Sequence, residues 1–279
     1  KSRRQMFADT IQFTSSVAVT TFGGCLCCPN PAFALANFAT PPKDAVATYD
    51  VSRNVLQDAA FAQGMASGMV DYEREAYDTK KILFKKLFAS PSLIGSSSSD
   101  SPVVLEVGMG SFPNALYYKD QRNLDIIGVD PNDRMEGYAR DSAKRAGLIT
   151  SEKSNSLRIV HGVSEALPFD DNTCDAVVCT LTLCSVVNPE KSVAEIKRVL
   201  KPGGKFLFWE HVLSETDPRL AQQQIQLTPA QVKRADGCHL DRKSGDIIRA
   251  AGFSNLDIDY IELKNFGFLN PTSCGIATA

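Results

Sequence analysis

The chain has 279 residues, of which 43% are hydrophobic and 22% charged, with 14 prolines and 18 glycines. This composition is typical of a globular protein, and it excludes collagen, a coiled coil, a disulfide-stabilised miniprotein and wholesale disorder. Thirty basic and 32 acidic residues leave a formal charge of −2. Because no overall field would draw such a chain onto nucleic acid, we expect a small-molecule enzyme or a binding domain.

Residues 1–40 have the features of a targeting segment. The run Ser-Arg-Arg-Gln-Met-Phe at 2–7 resembles a twin-arginine export signal, an uncharged stretch at 10–28 follows, and small-x-small patterns end it at 32–34 and 34–36. This order predicts a plastid protein of a plant or alga, located in the chloroplast at the thylakoid membrane or in its lumen. Two alternatives stay open: an unstructured terminus, or a membrane-associated segment acylated at Cys25, Cys27 or Cys28.

Residues 41–95 have a helical pattern, and residues 96–102 form a Ser-rich linker. Apolar side chains recur at steps of three, four or seven, which places them on one helix face. These side chains are Phe61, Met65, Met69, Tyr72, Ala76, Leu83 and Leu87. We therefore expect two or three helices that act as a lid or brace for the domain that follows.

Residues 103–279 alternate between strand-like and helix-like segments. Strands are predicted at 103–107, 125–129, 157–160, 176–183, 205–209, 255–261 and 273–277, with helices at 132–146, 189–200 and 242–251. This alternation predicts an α/β domain, a Rossmann-like seven-stranded, mostly parallel sheet with helices on both faces. Ligands of such sheets bind beyond the carboxyl ends of the strands, so the residues that follow strands are the candidates for function.

The eight cysteines do not form a disulfide or metal pattern. Three crowd into 25–28, and the other five are scattered without a Cys-x-x-Cys pair or a metal-type histidine spacing. We expect these five to be reduced core or pocket residues, and no metal site is predicted. Cys179 and Cys184 either line a substrate pocket or fill the apolar interior around the fourth strand.

A glycine turn and a carboxylate follow the first two predicted strands. Gly108 and Gly110 stand directly after the first strand, and Asp130 lies 22 residues beyond Gly108. This spacing places a carboxylate beside the turn, where it can accept both hydroxyls of a ribose; helix capping is the alternative role. Phe112 and Pro113 follow the turn and leave little room for a pyrophosphate, which favours a nucleoside without phosphates.

Three further blocks, at 162–169, 175–178 and 198–204, follow in an order and spacing that resemble the class I S-adenosylmethionine-dependent methyltransferases. The resemblance covers roughly residues 100–279 and implies S-adenosylmethionine as the methyl donor. It implies that donor-binding residues hold the methionine part, the ribose, the adenine and the region beneath the sulfonium. These residues are Glu106, Gly108, Gly110, Asp130, Pro131, Ser164, Glu165, Ala166 and Thr180.

The methyl acceptor is expected to be a small molecule and not a nucleic acid, because no Asn/Asp-Pro-Pro-Tyr follows the fourth strand. The runs at 175–186, 210–212 and 236–242 resemble the methyltransferase-like 7 family, membrane-associated enzymes that methylate small alkyl thiols. The resemblance implies S-methylation of a thiol and peripheral membrane association. Residues 212–235 depart from the family's Trp-rich cap, so O- or C-methylation of a phenol or quinone, or an inactive binding module, stays open.

A thiol acceptor must lose its proton before it attacks, so a base is expected beside it. His211 is the first candidate because it follows a strand end and because an imidazole has an ordinary pKa near 6.5. Asp236 is the second candidate, and His239 is considered with it. The alternatives are a hydrogen-bonded structural histidine and helix capping.

Overall fold

The structure, a computed structural model, describes residues 43–50, 54–94 and 101–279. The predicted targeting segment and residues 96–100 of the predicted linker lie outside these ranges. The helices are α1 (Lys43–Tyr49), α2 (Val55–Gly68), α3 (Val70–Phe88), α4 (Pro91–Ile94), α5 (Met135–Arg145), α6 (Pro189–Val199), α7 (Pro218–Arg234) and α8 (Ser244–Ala250). No helix in the described ranges is both long enough and apolar enough to cross a bilayer.

Seven strands form one sheet, as the sequence predicts. They are β1 (Val103–Val107), β2 (Asp125–Asp130), β3 (Ser156–His161), β4 (Cys174–Thr180), β5 (Leu200–His211), β6 (Asn255–Ile261) and β7 (Thr272–Thr278). The order is β3-β2-β1-β4-β5-β7-β6, and only β7 runs antiparallel to the other six strands. The strand order reverses between β1 and β4, which places a crevice at the carboxyl ends of these two strands.

The core divides between the two faces of the sheet because successive strand residues point to opposite sides. Val104 and Ile126 face a layer that contains α3 and α5, whereas Leu105 and Ile127 face a layer that contains α6 and α8. All five residues of β1 are buried, as expected for a central strand covered on both faces.

Helix α3 braces the first of these layers. Its Tyr72 hydroxyl accepts a hydrogen bond from Trp209 Nε1 at 2.9 Å. Its Lys80 is 1% exposed, with Nζ 2.8 Å from Glu73 and 3.2 Å from Asn114. By contrast, α2 buries only Ala62 fully. Helix α3 therefore packs against the sheet and α2 is its more exposed neighbour, while the role of lid or brace stays a prediction.

Two elements differ from the sequence predictions. The sequence places the glycine turn where the first strand leads into a helix, and the helix found there is a six-residue 3₁₀ helix (Pro113–Tyr118) and not an α-helix. Helix α7 was not predicted at all, although Asp217 caps it and Pro218 occupies its first turn. The residues that α7 buries are Gln224 and Thr228, so the helix lacks the apolar periodicity by which amphipathic helices are recognised.

Candidate active site

A cleft of about 970 Å³ opens at the carboxyl ends of the strands. Most of the predicted donor-binding residues line it, from four separate segments of the chain. Those that do are Gly108, Gly110, Asp130, Pro131, Ser164, Glu165 and Thr180. Side chains of α2 and α3, among them Phe61, Met65 and Glu73, form the opposite wall. The N-terminal helices thus complete the cleft that the sheet begins.

The glycine turn is held by the carboxylate that the sequence places beside it. Asp130 accepts hydrogen bonds from the backbone N–H groups of Gly110 at 2.8 Å and Asn132 at 2.9 Å. Gly108 has a φ of +64°, and a Cβ there would lie 2.2 Å from Thr182 Oγ1, so a side chain is excluded. Asp130 therefore orders the turn and also lines the cleft.

The shape of this turn favours a nucleoside without a pyrophosphate. Phe112 adopts a left-handed conformation with a φ of 56° and is fully buried, its ring 5.6 Å from that of Tyr118. Pro113, which has no N–H, begins the 3₁₀ helix. No α-helix N-terminus therefore follows β1 directly to bind phosphate.

Glu106 is buried and is not among the residues that line the cleft, so its contact with the methionine part of the donor stays a prediction. Its carboxylate accepts hydrogen bonds from Tyr118 Oη at 2.5 Å and Asn114 Nδ2 at 3.0 Å. Asn114 Nδ2 also lies 3.1 Å from Thr180 Oγ1 at the cleft. Burial raises the pKa of Glu106 to about 7. Glu106 therefore positions cleft residues through Asn114.

Only part of the predicted adenine-binding segment lines the cleft. Ser164 and Glu165 line the cleft, whereas Ala166 is buried and does not reach it. Glu165 accepts a hydrogen bond from Asn188 N at 3.0 Å, at the start of α6, and one from Ser164 Oγ at 3.1 Å. Glu165 therefore fixes the segment to α6 while the segment faces the cleft.

The far end of the cleft is formed by the loop after β4 and by the loop between α7 and α8. Glu210, at the end of β5, accepts the backbone N–H groups of Thr182 at 2.9 Å and Leu183 at 3.1 Å. Desolvation raises the pKa of Glu210 to about 7 against the opposing effect of these hydrogen bonds. This buried carboxylate anchors the first loop.

Two of the three candidate bases line the cleft and the third does not. Asp236 and His239 line the cleft, and His239 Nδ1 lies 3.5 Å from Asp241. His211 is 2% exposed and does not line the cleft; its Nε2 lies 3.1 Å from the Cys238 sulfur. His211 therefore lies behind the cleft lining and Asp236 and His239 lie on it, and the role of base stays a prediction for all three.

Several cleft residues were not found from the sequence. Lys233 and Arg234 come from the last turn of α7, and Arg242 comes from the loop that follows. Arg242 donates a hydrogen bond to the Leu183 carbonyl at 2.5 Å, which joins the two loops. The signal for Arg242 was its place in the run at 236–242; Lys233 and Arg234 could be placed only once α7 was known.

Known proteins are similar to this chain in sequence and in fold. A methyltransferase-domain family model matches residues 105–208. Human thiol S-methyltransferase TMT1A is 35% identical over 196 residues, 69% of this chain and 75% of that protein. Rat thiol S-methyltransferase TMT1B is 34% identical over 163 residues, 58% of this chain and 64% of that protein, slightly under two thirds of its length.

Among solved structures, the [4+2]-cyclase SpnF matches with a TM-score of 0.53 at 20% identity, over 71% of this chain and 80% of that one. This similarity concerns the fold alone. The family assignment rests on the identity to the human relative over three quarters of its length and on the family model over β1 to β5. The chain belongs to the class I S-adenosylmethionine-dependent methyltransferases and is close to the methyltransferase-like 7 thiol methyltransferases.

Proposed function

We propose that this protein transfers the methyl group of S-adenosylmethionine to the sulfur of a small thiol. The observation that carries the proposal is that one cleft is lined both by the predicted donor-binding residues and by Asp236, His239 and Arg242, which we assign to its acceptor end. The thiol as acceptor is supported by the relatives named as thiol S-methyltransferases. Phenol or quinone methylation is the second candidate, and an inactive binding module the third.

Methyl transfer to a thiol needs a thiolate, an aligned donor and little else. Asp236 or His239 accepts the thiol proton, and the cations Arg242 and Lys233 favour the thiolate electrostatically. The thiolate lone pair forms the new S–C bond as the bond from the methyl carbon to the donor sulfonium breaks. The products are a neutral thioether and S-adenosylhomocysteine, and the proton remains on the base until solvent removes it.

The activity is tested by incubating the full chain with S-adenosylmethionine and separate small thiols, phenols and quinones, and measuring both products by mass spectrometry. We expect methyl thioethers with the thiols. Asp236→Asn and His239→Gln measured in parallel show which side chain accepts the proton, since loss of the base lowers kcat by about 10²–10⁴-fold. Methylation confined to phenols or quinones would support the second candidate.

Donor binding is tested separately by calorimetric titration with S-adenosylhomocysteine. Asp130→Ala removes a charged hydrogen-bond acceptor, so we expect at least tenfold weaker binding, from about 1.5–3 kcal/mol per charged hydrogen bond. Asp133→Ala is the matched control, since Asp133 is 68% exposed and pairs with Arg134. Equal affinity of wild type and Asp130→Ala would refute the site, and no binding by the wild type would favour the inactive module.

A further inference from the structure

Three buried side chains outside the cleft lining converge behind its acceptor end. Cys184, His211 and Cys238, here called the Cys–His–Cys cluster, are 2%, 2% and 7% exposed. Their sulfur and ring nitrogen atoms all lie within 4.8 Å of one another. They belong to the loop after β4, the end of β5 and the loop between α7 and α8, so the sheet topology brings them together from distant parts of the sequence.

One buried atom of the cluster has no hydrogen-bond partner in the described structure, whereas both sulfur atoms have polar contacts. His211 Nε2 lies 3.1 Å from Cys238 Sγ, whereas His211 Nδ1 is buried without a hydrogen-bond partner. The Gln231 amide lies 3.6 Å from Cys238 Sγ. Buried polar groups are normally satisfied, so an imidazole nitrogen without a partner beside two buried thiols favours a ligand that the three residues can share.

We propose that Cys184, His211 and Cys238 bind a thiophilic divalent cation of the Zn²⁺ type. Sulfur and imidazole nitrogen are the ligands that zinc prefers, and the ligands of one tetrahedral zinc stand about 3.5–3.8 Å apart, given bonds of about 2.3 and 2.0 Å. The cluster atoms lie within small side-chain rotations of such spacings. Two thiolates and a neutral imidazole balance the charge of the ion, and the Gln231 amide oxygen or a water completes the coordination.

The ion would join the two loops that form the acceptor wall. Ser185 follows Cys184 and lines the cleft, as do Gly237 and His239 on either side of Cys238. The loops already touch: His239 N donates to the Cys184 carbonyl at 2.8 Å, and a Cβ at Gly237 would lie 2.8 Å from the Ser185 carbonyl oxygen. The ion would thus fix the acceptor end without contacting the acceptor.

Sequence spacing did not reveal this site because each ligand comes from a different segment. The expectation of no metal site rested on the absence of paired cysteines and histidines along the chain. A cluster assembled by the carboxyl ends of β4 and β5 and a distant loop leaves no such local pattern.

The test is metal analysis of the purified full chain by mass spectrometry, followed by Co²⁺ substitution monitored by absorbance. We expect about one zinc per chain and a sulfur-to-cobalt charge-transfer band. Cys238→Ser and Cys184→Ser should weaken Zn²⁺ binding at least a hundredfold in competition with a chelating dye. Cys274→Ser, equally buried but outside the cluster, should bind like the wild type.

Two further measurements test whether the zinc is bound by the Cys–His–Cys cluster. A chain with Cys25, Cys27 and Cys28 changed to Ser should keep its zinc; loss of zinc there would overturn the proposal. If the cluster variants do not fold, X-ray absorption at the zinc edge of the wild type must show sulfur at about 2.3 Å and nitrogen at about 2.0 Å. A wild-type chain without stoichiometric metal or a thiolate–cobalt band would also refute it.

Discussion

Glu106 shows how a buried carboxylate can position a residue of the cleft through an intermediate side chain. The side chain is 2% exposed and accepts hydrogen bonds from Tyr118 and Asn114. Removing a carboxylate from water favours its protonated form, and burial is the largest cause of its raised pKa. The carboxyl group is therefore only partly ionised near neutral pH, and the stability of the fold must depend on pH in this range.

The stability of the wild type is expected to fall as pH rises from about 5 to about 7. The folded pKa of Glu106 is about 7 against an ordinary value of 4.5, so the folded state binds more protons than the unfolded state between these values. Stability is fully present below the lower value and is lost as pH rises through the upper one, with a slope of at most about 1.4 kcal/mol per pH unit from this group. Urea unfolding of Glu106→Gln across this range should give a flatter curve.

The matched control is Glu152→Gln, because Glu152 is exposed. Its stability curve should run parallel to that of the wild type throughout. If Glu106→Gln also ran parallel to the wild type, the carboxyl group would titrate normally and the proposed suppression of its charge would be wrong.

At the scale of elements, α3 depends on one buried cation. Lys80 Nζ contacts both Glu73 and Asn114, and its ammonium lies 5.7 Å from the centre of the Trp209 ring. Removing one partner of a buried pair leaves the other charge uncompensated, at a cost of about 3–5 kcal/mol. Lys80→Met should therefore lose this much free energy of unfolding in urea.

Lys85→Met is the control for this helix, since Lys85 is exposed on α3 and surface changes usually stay within about 0.5 kcal/mol. Because Asn114 also contacts Glu106 and Thr180, Lys80→Met should weaken S-adenosylhomocysteine binding as well. A loss below about 1 kcal/mol, or unchanged donor affinity, would show that α3 is held by its apolar face alone.

The elements that could be predicted from the sequence are those that bury mainly apolar side chains. Strands β1, β2 and β4 are short hydrophobic runs, and their continuous burial explains why the sequence locates them. Helix α7 is held differently: Gln224 is fully buried, and its amide binds the carbonyls of Val212 at 2.9 Å and Asn270 at 2.8 Å. A helix anchored by a buried amide has no hydrophobic period to recognise.

The same distinction applies to the site. Gly108, Gly110 and Asp130 were predicted because the turn and the strand that follows set a fixed spacing. Asn114 and Lys80, which support the cleft from behind, meet only through tertiary packing. The position of His211 behind the cleft likewise depends on how far β5 extends beyond β4, a length that composition does not determine.

At the scale of the whole molecule, β7 connects the parallel part of the sheet to its edge strand β6. Gly275 on this strand pairs with Phe208 of β5 on one side and Ile258 of β6 on the other. Phe208 also belongs to the core layer beneath α6 and α8. The packing of the sheet edge therefore depends on Gly275, where the backbone of β6 comes very close.

A Cβ at Gly275 would lie 2.0 Å from the Asp257 carbonyl oxygen and 2.9 Å from Phe208 Cζ. Since the first contact is backbone, β6 must move, and we expect Gly275→Ala to lose about 1–3 kcal/mol or more. Gly137→Ala, inside α5 with nothing within 4 Å of its Cβ, should instead gain up to about 1 kcal/mol. Urea unfolding followed by Trp209, the single tryptophan, and by circular dichroism should give coincident transitions for both variants. A neutral Gly275→Ala, or a separate transition for the β6–β7 edge, would mean that this edge is not part of the cooperative unit.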